Sequence, residues 1–193
     1  MVYFLSRESR MDWLLFTYWL PPEPSRKRVS VWRHLKKAGA LLEGAGWLLP
    51  KTDPLLGNLA GLVRTVEEMG GTANLYIVSH FTKDQEERTV ARFQQERQKE
   101  YSDIVAECQK ALKHVEWEIE RREFNFEEVE ELEGDLEKIK RWYADVKQRD
   151  FWETPVKGQV EESIGKVEES LAAFVQKTYE ETAGHSGESE SEH

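Results

Sequence analysis

Apolar and polar positions follow two different spacings in the N-terminal part of the chain, and turn-forming residues separate the segments. The apolar, aromatic run Asp12–Leu20 stops at Pro21-Pro22, which predicts a buried strand. A helix is predicted over Arg26–Ala38, with Ser25 as its N-cap and Gly39 just beyond its end. The first two predicted elements are therefore a strand and a helix.

The following segment predicts a hairpin, a second helix and a last strand. Short apolar runs at Ala40–Glu43 and Trp47–Pro50 flank a glycine-containing turn. Asp53 can cap a helix whose apolar residues recur at helical spacing until Gly70-Gly71, and Ala73–Val78 then predicts a strand. The order strand, helix, strand, strand, helix, strand is that of a ferredoxin-like βαββαβ sandwich, an α+β fold with both helices on one face of an antiparallel sheet.

Beyond residue 81 the turn signals become rare, and apolar residues recur at alternating spacings of three and four. Three such stripes lie within 90–115, 129–146 and 160–174, and Asn125 can cap the second helix. Stripes with charged flanks are typical of helices that pack on one another or on a partner. A long helical hairpin or three-helix segment is therefore predicted after the α+β domain.

Charge divides the chain in the same place. Residues 1–81 carry 10 Lys/Arg against 7 Asp/Glu, whereas residues 82–193 carry 17 against 30, for a net charge of -10. We therefore predict a ferredoxin-like domain over 1–81 that contains a basic helix, an acidic antiparallel helical segment over 82–182, and a disordered acidic tail over 183–193.

Several classes of protein are excluded or disfavoured by composition. The single cysteine, Cys108, excludes an internal disulfide and a multi-cysteine metal site. The apolar run Trp13–Leu20 is shorter than the roughly 20 residues that cross a bilayer, and no cleavage site for a signal peptidase follows it. A cytoplasmic protein that does not enter the membrane is expected.

The residues that carry catalysis are also sparse. No two histidines have the spacing of metal ligands, no Cys–His or Ser–His arrangement stands out, and the glycine pairs match no phosphate-binding loop. We therefore expect no catalytic residues, no metal site and no cofactor, and thus a protein that is not an enzyme.

The segment from Ser25 to Gly39 is the most informative part of the sequence. On a helical wheel, Arg26, Arg33 and Lys37 lie on one side, and we call these three residues the basic stripe. The opposite, apolar side is predicted to hold Val29, Trp32 and Leu35. A row of cations can follow the phosphates of nucleic acid, but it can equally be a solvated helix face.

Arg28 differs from the other cations of this segment, because the wheel places it in the apolar sector between Trp32 and Leu35. A charge in such a place needs a partner, so we expect either a structural ion pair or part of an anion site. Further along, Arg149-Asp150-Phe151-Trp152 interrupts the helical pattern before Pro155. Either a packed turn or an aromatic binding patch is expected there.

The run Trp13–Ser25, which contains Leu-Pro-Pro-Glu-Pro-Ser, resembles the N-terminal domain of ChrB, the chromate-resistance regulator. The resemblance continues through Trp32-Arg33, Gly70-Gly71, Glu100-Tyr101 and Arg149–Phe151, and it covers roughly residues 12–178. That family is similar in turn to the Cas2-like part of PaaX-type repressors, which agrees with the ferredoxin-like order of elements.

The resemblance implies a transcriptional regulator in the response to chromate or a related oxyanion, with a DNA-binding basic segment. Together with the wheel, it points to six candidate DNA- or anion-binding residues: Arg26, Lys27, Arg28, Arg33, Lys36 and Lys37. Cas2-like nucleases place a metal-binding aspartate at the end of the first strand, where this sequence has Thr17-Tyr18-Trp19, so nuclease activity is not expected. ChrB proteins usually continue into a second domain thought to sense chromate; none is seen here, and chromate sensing by this chain alone is not expected.

Two functions from different classes remain open on sequence grounds. The first is a DNA-binding regulator of the ChrB N-terminal type. The second is a protein-interaction module whose acidic helices dock a separate sensor, a transporter or a second copy of the chain, as the net charge of -10 favours. An enzyme that acts on nucleic acid or an oxyanion has the least support.

Overall fold

The structure is a computed structural model that describes residues 11–80 and 82–188, with side chains up to residue 183. Clustering of contacts divides the chain into two compact units, and the division falls between Gln94 and Gln95. The first unit contains six elements: β1 Trp13–Trp19, α1 Ser25–Lys37, β2 Leu41–Glu43, β3 Gly46–Pro50, α2 Asp53–Glu68 and β4 Thr72–Val78. The remaining helices are α3 Lys83–Arg121, α4 Phe126–Gln148 and α5 Lys157–Glu188.

The sheet of the first unit has the strand order β2-β3-β1-β4, and every neighbouring pair is antiparallel. Central β1 pairs with β3 and with β4, so that β2 and β4 form the two edges. The predicted α+β fold, ferredoxin-like and followed by long helices, is confirmed by this order of elements and strands.

The two faces of β1 are buried by different elements, because side chains alternate along a strand. Phe16 and Tyr18 lie on one face, with their rings 5.9 Å apart, and Tyr18 borders α1. Trp13 is fully buried on the other face, where its ring contacts His80, which precedes α3, and Phe93 in the third turn of α3. The first unit therefore extends into α3 as far as Gln94.

Two predicted helix caps are wrong by one residue. The N-cap of α1 is Pro24 rather than Ser25, because Pro24 already has the extended backbone of a cap, with φ -78° and ψ 138°. The N-cap of α2 is Thr52 rather than Asp53, because the Thr52 side chain accepts a hydrogen bond from Leu55 N. Gly39, with φ 81°, follows α1 as predicted.

Gly71 allows β4 to approach the end of β1. A Cβ atom at Gly71 would lie 2.3 Å from the Trp19 carbonyl oxygen and 2.7 Å from Leu20 Cδ2. We expect Gly71→Ala to lower the free energy of unfolding by about 1–3 kcal/mol, because backbone must shift to make room. The control is Gly57→Ala in α2, where no described atom lies within 4 Å and a gain of up to about 1 kcal/mol is expected. Urea unfolding measures both, and equal stabilities would contradict the close approach.

The second unit has its own hydrophobic core. Asn125 caps α4 as predicted, its side chain accepting a hydrogen bond of 2.9 Å from Glu128 N. The three predicted apolar stripes supply buried residues of this core, among them Tyr101, Ile104, Cys108, Val115, Val129, Leu132, Leu136, Ile139, Val146, Val160, Ile164, Val167, Leu171 and Phe174. Cys108 is fully buried among apolar side chains, and burial raises the pKa of its thiol.

The predicted tail over 183–193 starts within α5, which continues to Glu188, and residues 189–193 lie outside the described residues. Within the described ranges, no helix combines the length and the apolar character that crossing a membrane requires.

Candidate nucleic-acid interface

The basic stripe lies on the exposed side of α1. Arg26, Arg33 and Lys37 are all exposed, and within the described residues none of them has an ion-pair or hydrogen-bond partner. Because α1 contains no Asp or Glu, no carboxylate on the same helix offsets them. The stripe spans about 16 Å at a rise of 1.5 Å per residue.

Of the three residues predicted for the apolar side of α1, Leu35 is buried as predicted, but the buried face of the helix is turned away from Val29 and Trp32. Val31 and Leu35, one turn apart, are the buried pair, with 1% and 0% exposure. Val29 and Trp32 are 42% and 48% exposed instead. The largest side chain is thus not the one that anchors the helix, and the exposed part of α1 includes an aromatic ring as well as the basic stripe.

Arg28 is also not where the wheel placed it. Its side chain is exposed and donates a hydrogen bond of 3.0 Å to the Pro22 carbonyl oxygen. Among the described residues Arg28 therefore has a backbone carbonyl as its partner instead of the expected ion pair, and its part in an anion site stays a prediction. Arg28 borders a surface cleft of about 330 Å³ that is otherwise lined by Tyr18, Ser25, Val29 and Trp32. Partial burial raises the pKa of Tyr18, and the Arg28 charge opposes that effect.

Lys27 and Lys36 differ from the stripe in being half-buried. Lys27 Nζ donates a hydrogen bond of 2.8 Å to the carbonyl oxygen of Met69 at the C-terminal end of α2, where a cation also complements the helix dipole. His34 Nε2 lies 2.7 Å from Asn58 Oδ1 of α2. These contacts hold α1 against α2 and fix which side of α1 faces outward.

The exposed side of α1 thus offers two kinds of contact to a ligand. The three unpartnered cations can neutralise phosphates, an interaction that releases bound counterions. Trp32 presents an aromatic ring and Val29 an apolar surface, on which a base or sugar can pack. Of the side chains that read base edges, α1 contains arginine, lysine and serine but no Asn or Gln.

The second unit contains a buried polar cluster, formed by Arg97, Glu100, Tyr101, Arg149 and Asp150. Glu100 lies between two arginines, 3.0 Å from Arg97 Nε and 2.9 Å from an Arg149 terminal nitrogen. Tyr101 Oη donates to Asp150 at 3.1 Å. Burial lowers the pKa of Arg97, which is 5% exposed, and burial together with the Asp150 charge raises the pKa of Tyr101.

Asp150 organises the connection between α4 and α5. Its carboxylate accepts hydrogen bonds of 2.9 Å from both the backbone N and the hydroxyl of Thr154. Phe151 and Trp152 are half-buried and pack edge to face, with ring centroids 5.7 Å apart. This geometry favours the packed turn over an aromatic binding patch for Arg149–Trp152.

Comparison with known families assigns the chain. The family model described as "Protein ChrB, N-terminal" matches residues 28–185 of the 193 residues. The chain belongs to the ChrB N-terminal family. Neither a curated protein nor a solved structure matches the chain.

The ChrB match includes both units, from within α1 to within α5. Membership makes this a regulator-type protein associated with chromate resistance. Two ChrB-like segments that are about fifty residues apart in the sequence, Glu100-Tyr101 and Arg149–Phe151, contact each other in the buried polar cluster.

Some residues that define these sites do not follow from the sequence prediction. The exposure of Trp32 was missed, although Val31 and Leu35 at a spacing of four offered the correct alternative. The role of Thr154 as the partner of Asp150 was also missed. The position of Arg97 did indicate a buried ion pair, because a charged residue within an apolar stripe requires partners.

Proposed function

We propose that this ChrB-family chain is a non-enzymatic regulator that binds DNA through the exposed side of α1. The observation that carries the proposal is the basic stripe itself: three exposed cations that have no partner among the described residues, on a helix that has no acidic residue. Unpaired cations grouped on one face are what phosphate recognition requires.

The distribution of charge supports this assignment of the face. A net charge of -10 repels DNA as a whole, so binding needs a local surface of opposite sign. Lys36 lies next to the stripe on the helical wheel and Arg28 is a further exposed cation of α1, whereas Lys27 serves mainly to hold α1 against α2. We therefore assign phosphate contacts to Arg26, Arg33 and Lys37 first.

The test is fluorescence anisotropy with the full chain and two labelled duplexes, its own upstream DNA and a scrambled duplex of equal composition. Measurements at 50, 100 and 200 mM salt are expected to give tighter binding to the upstream duplex, with a slope of log K against log salt of about -3, since each neutralised phosphate contributes about -0.9. Absence of binding to either duplex at 50 mM salt would overturn the proposal.

A second candidate function, protein interaction, is favoured by exposed aromatic residues on the acidic second unit. Trp117 and Tyr179 are 49% and 58% exposed, and Phe126 packs edge to face on Tyr179. Such side chains are typical anchors of protein interfaces. Light scattering of the full chain tests whether the partner is a second copy of the chain. A dimer that Tyr179→Ser converts to a monomer would support self-association, and a monomer at all concentrations would exclude it.

A further inference from the structure

A histidine and two carboxylates converge where α3 ends and α4 begins. His114 and Glu118 are one turn apart on α3 and therefore share a face of the helix. Glu128 lies in the first turn of α4. One ligand atom from each of the three residues lies within 4.8 Å of the other two, and His114 Nε2 is 3.5 Å from Glu118 Oε1.

Glu118 provides an independent reason to look for a ligand at this point. Its side chain is 1% exposed, and within the part of the chain that the structure describes its Oε2 atom is buried without a hydrogen-bond partner. A buried carboxylate with an unsatisfied oxygen is costly unless a cation or a donor compensates it. The carboxylate that carries this atom has an oxygen within 4.8 Å of ligand atoms of both His114 and Glu128.

The charged groups near Glu118 compensate it only in part. Glu128 and Glu123 add negative charge around Glu118, whereas Arg121 and His114 oppose it. The Arg121 guanidinium also pairs with Glu123 and lies 4.1 Å above the Trp117 ring. The position therefore combines a buried acceptor, two further ligand atoms and an excess of negative charge.

The donor set selects the class of ion. One imidazole nitrogen with two carboxylates suits zinc and neighbouring divalent transition metals, and it leaves at least one coordination position for water. Calcium and magnesium prefer sites made only of oxygen atoms. A second set, His114 with Glu131 and Asp135, also has ligand atoms within 4.8 Å of one another. In that set, however, Asp135 forms an ion pair of 2.8 Å with Lys138, and Glu131 is exposed.

We propose that His114, Glu118 and Glu128 form a binding site for a divalent first-row transition-metal ion. The ion would link the C-terminal part of α3 to the first turn of α4. These two segments flank the short connection that ends at Asn125, the N-cap of α4. The site lies wholly within the second unit and does not depend on DNA binding by α1.

The test is isothermal titration of the full, chelator-treated chain with ZnCl₂. One ion per chain is expected. His114→Gln and Glu118→Gln should each lower the affinity at least about tenfold, because even substitution of residues that only hydrogen-bond to metal ligands has an effect of that size. Glu131→Gln is the matched control, an exposed carboxylate on the same α4 next to His114, and it should bind as the wild type does. No binding by the wild type, or equal binding by Glu118→Gln, would overturn the site.

Thermal unfolding keeps the test decisive if a substitution at buried Glu118 prevents folding. Zinc is expected to raise the midpoint of the wild type progressively as its concentration exceeds Kd, because it binds the folded state. Glu128→Gln, at a half-buried position, should fold and lose that rise. A rise that persists in both His114→Gln and Glu128→Gln would place the ion elsewhere and refute the proposal.

Discussion

Replacement of Arg26, Arg33 and Lys37 together by glutamine is expected to weaken DNA binding about five hundredfold at 100 mM salt. Each lost phosphate contact removes the release of about 0.9 counterion, a contribution of just under tenfold in affinity at that salt. All three side chains are exposed and lack partners within residues 11–80 and 82–188, so their loss should leave the fold unchanged. The effect is therefore electrostatic and confined to binding.

The measurement is anisotropy across the salt series, where the slope of log K against log salt should become less steep by about three. The control replaces three lysines of the second unit, Lys110, Lys138 and Lys166, by glutamine. This change alters the net charge equally but affects residues that already pair with carboxylates on their own helices. If both triple variants lose the same affinity, the net charge rather than the basic stripe governs binding.

Asp150→Ala is expected to lower the free energy of unfolding by about 3 kcal/mol. Its carboxylate accepts hydrogen bonds from Tyr101 Oη, Thr154 N and Thr154 Oγ1, and Thr154 is 2% exposed. Removal of the acceptor leaves these buried donors without a hydrogen bond. Each such donor lowers the free energy of unfolding by about 1–3 kcal/mol, less whatever the surrounding structure recovers by rearranging. The substitution also removes negative charge beside Arg97, which is almost fully buried.

Urea unfolding followed by far-ultraviolet circular dichroism checks this value, because the signal comes mostly from the long helices. Asp145→Ala, an exposed position on the preceding turn of α4, is the control and should change stability by no more than about 0.5 kcal/mol. Asp150→Asn keeps one acceptor oxygen and should fall between the two. An Asp150→Ala variant as stable as Asp145→Ala would show that the turn is held by other contacts.

The elements of the first unit were predictable because their signals are local. Proline ends the first strand, Gly39 follows α1, and the apolar spacing in α2 leads directly to its buried residues Leu59, Leu62 and Val66. The caps at Pro24 and Thr52 were missed by one residue, since neighbouring residues such as Ser25 and Asp53 are equally good caps by composition. Only the backbone angles distinguish them.

The sites were predictable only in part, because they depend on which elements meet. A wheel for α1 offers two apolar sides, Val29 with Trp32 and Val31 with Leu35, and only packing against the sheet and α2 selects the second. Contacts such as Glu100–Arg149 join residues far apart in the sequence, so no spacing rule reveals them. The same holds for Glu128, which approaches His114 and Glu118 only because α4 folds back along α3.

The two edges of the sheet are unequal, and this inequality bears on how the protein behaves in concentrated solution. Edge strand β2 has three residues, whereas edge strand β4 has seven and exposes Tyr76 and Ile77 by 48% and 55%. Backbone groups along a long open edge can pair with a strand of any other chain. Colloidal stability thus depends on the outer side of β4 as well as on the charge of -10, which acts over distances that salt shortens.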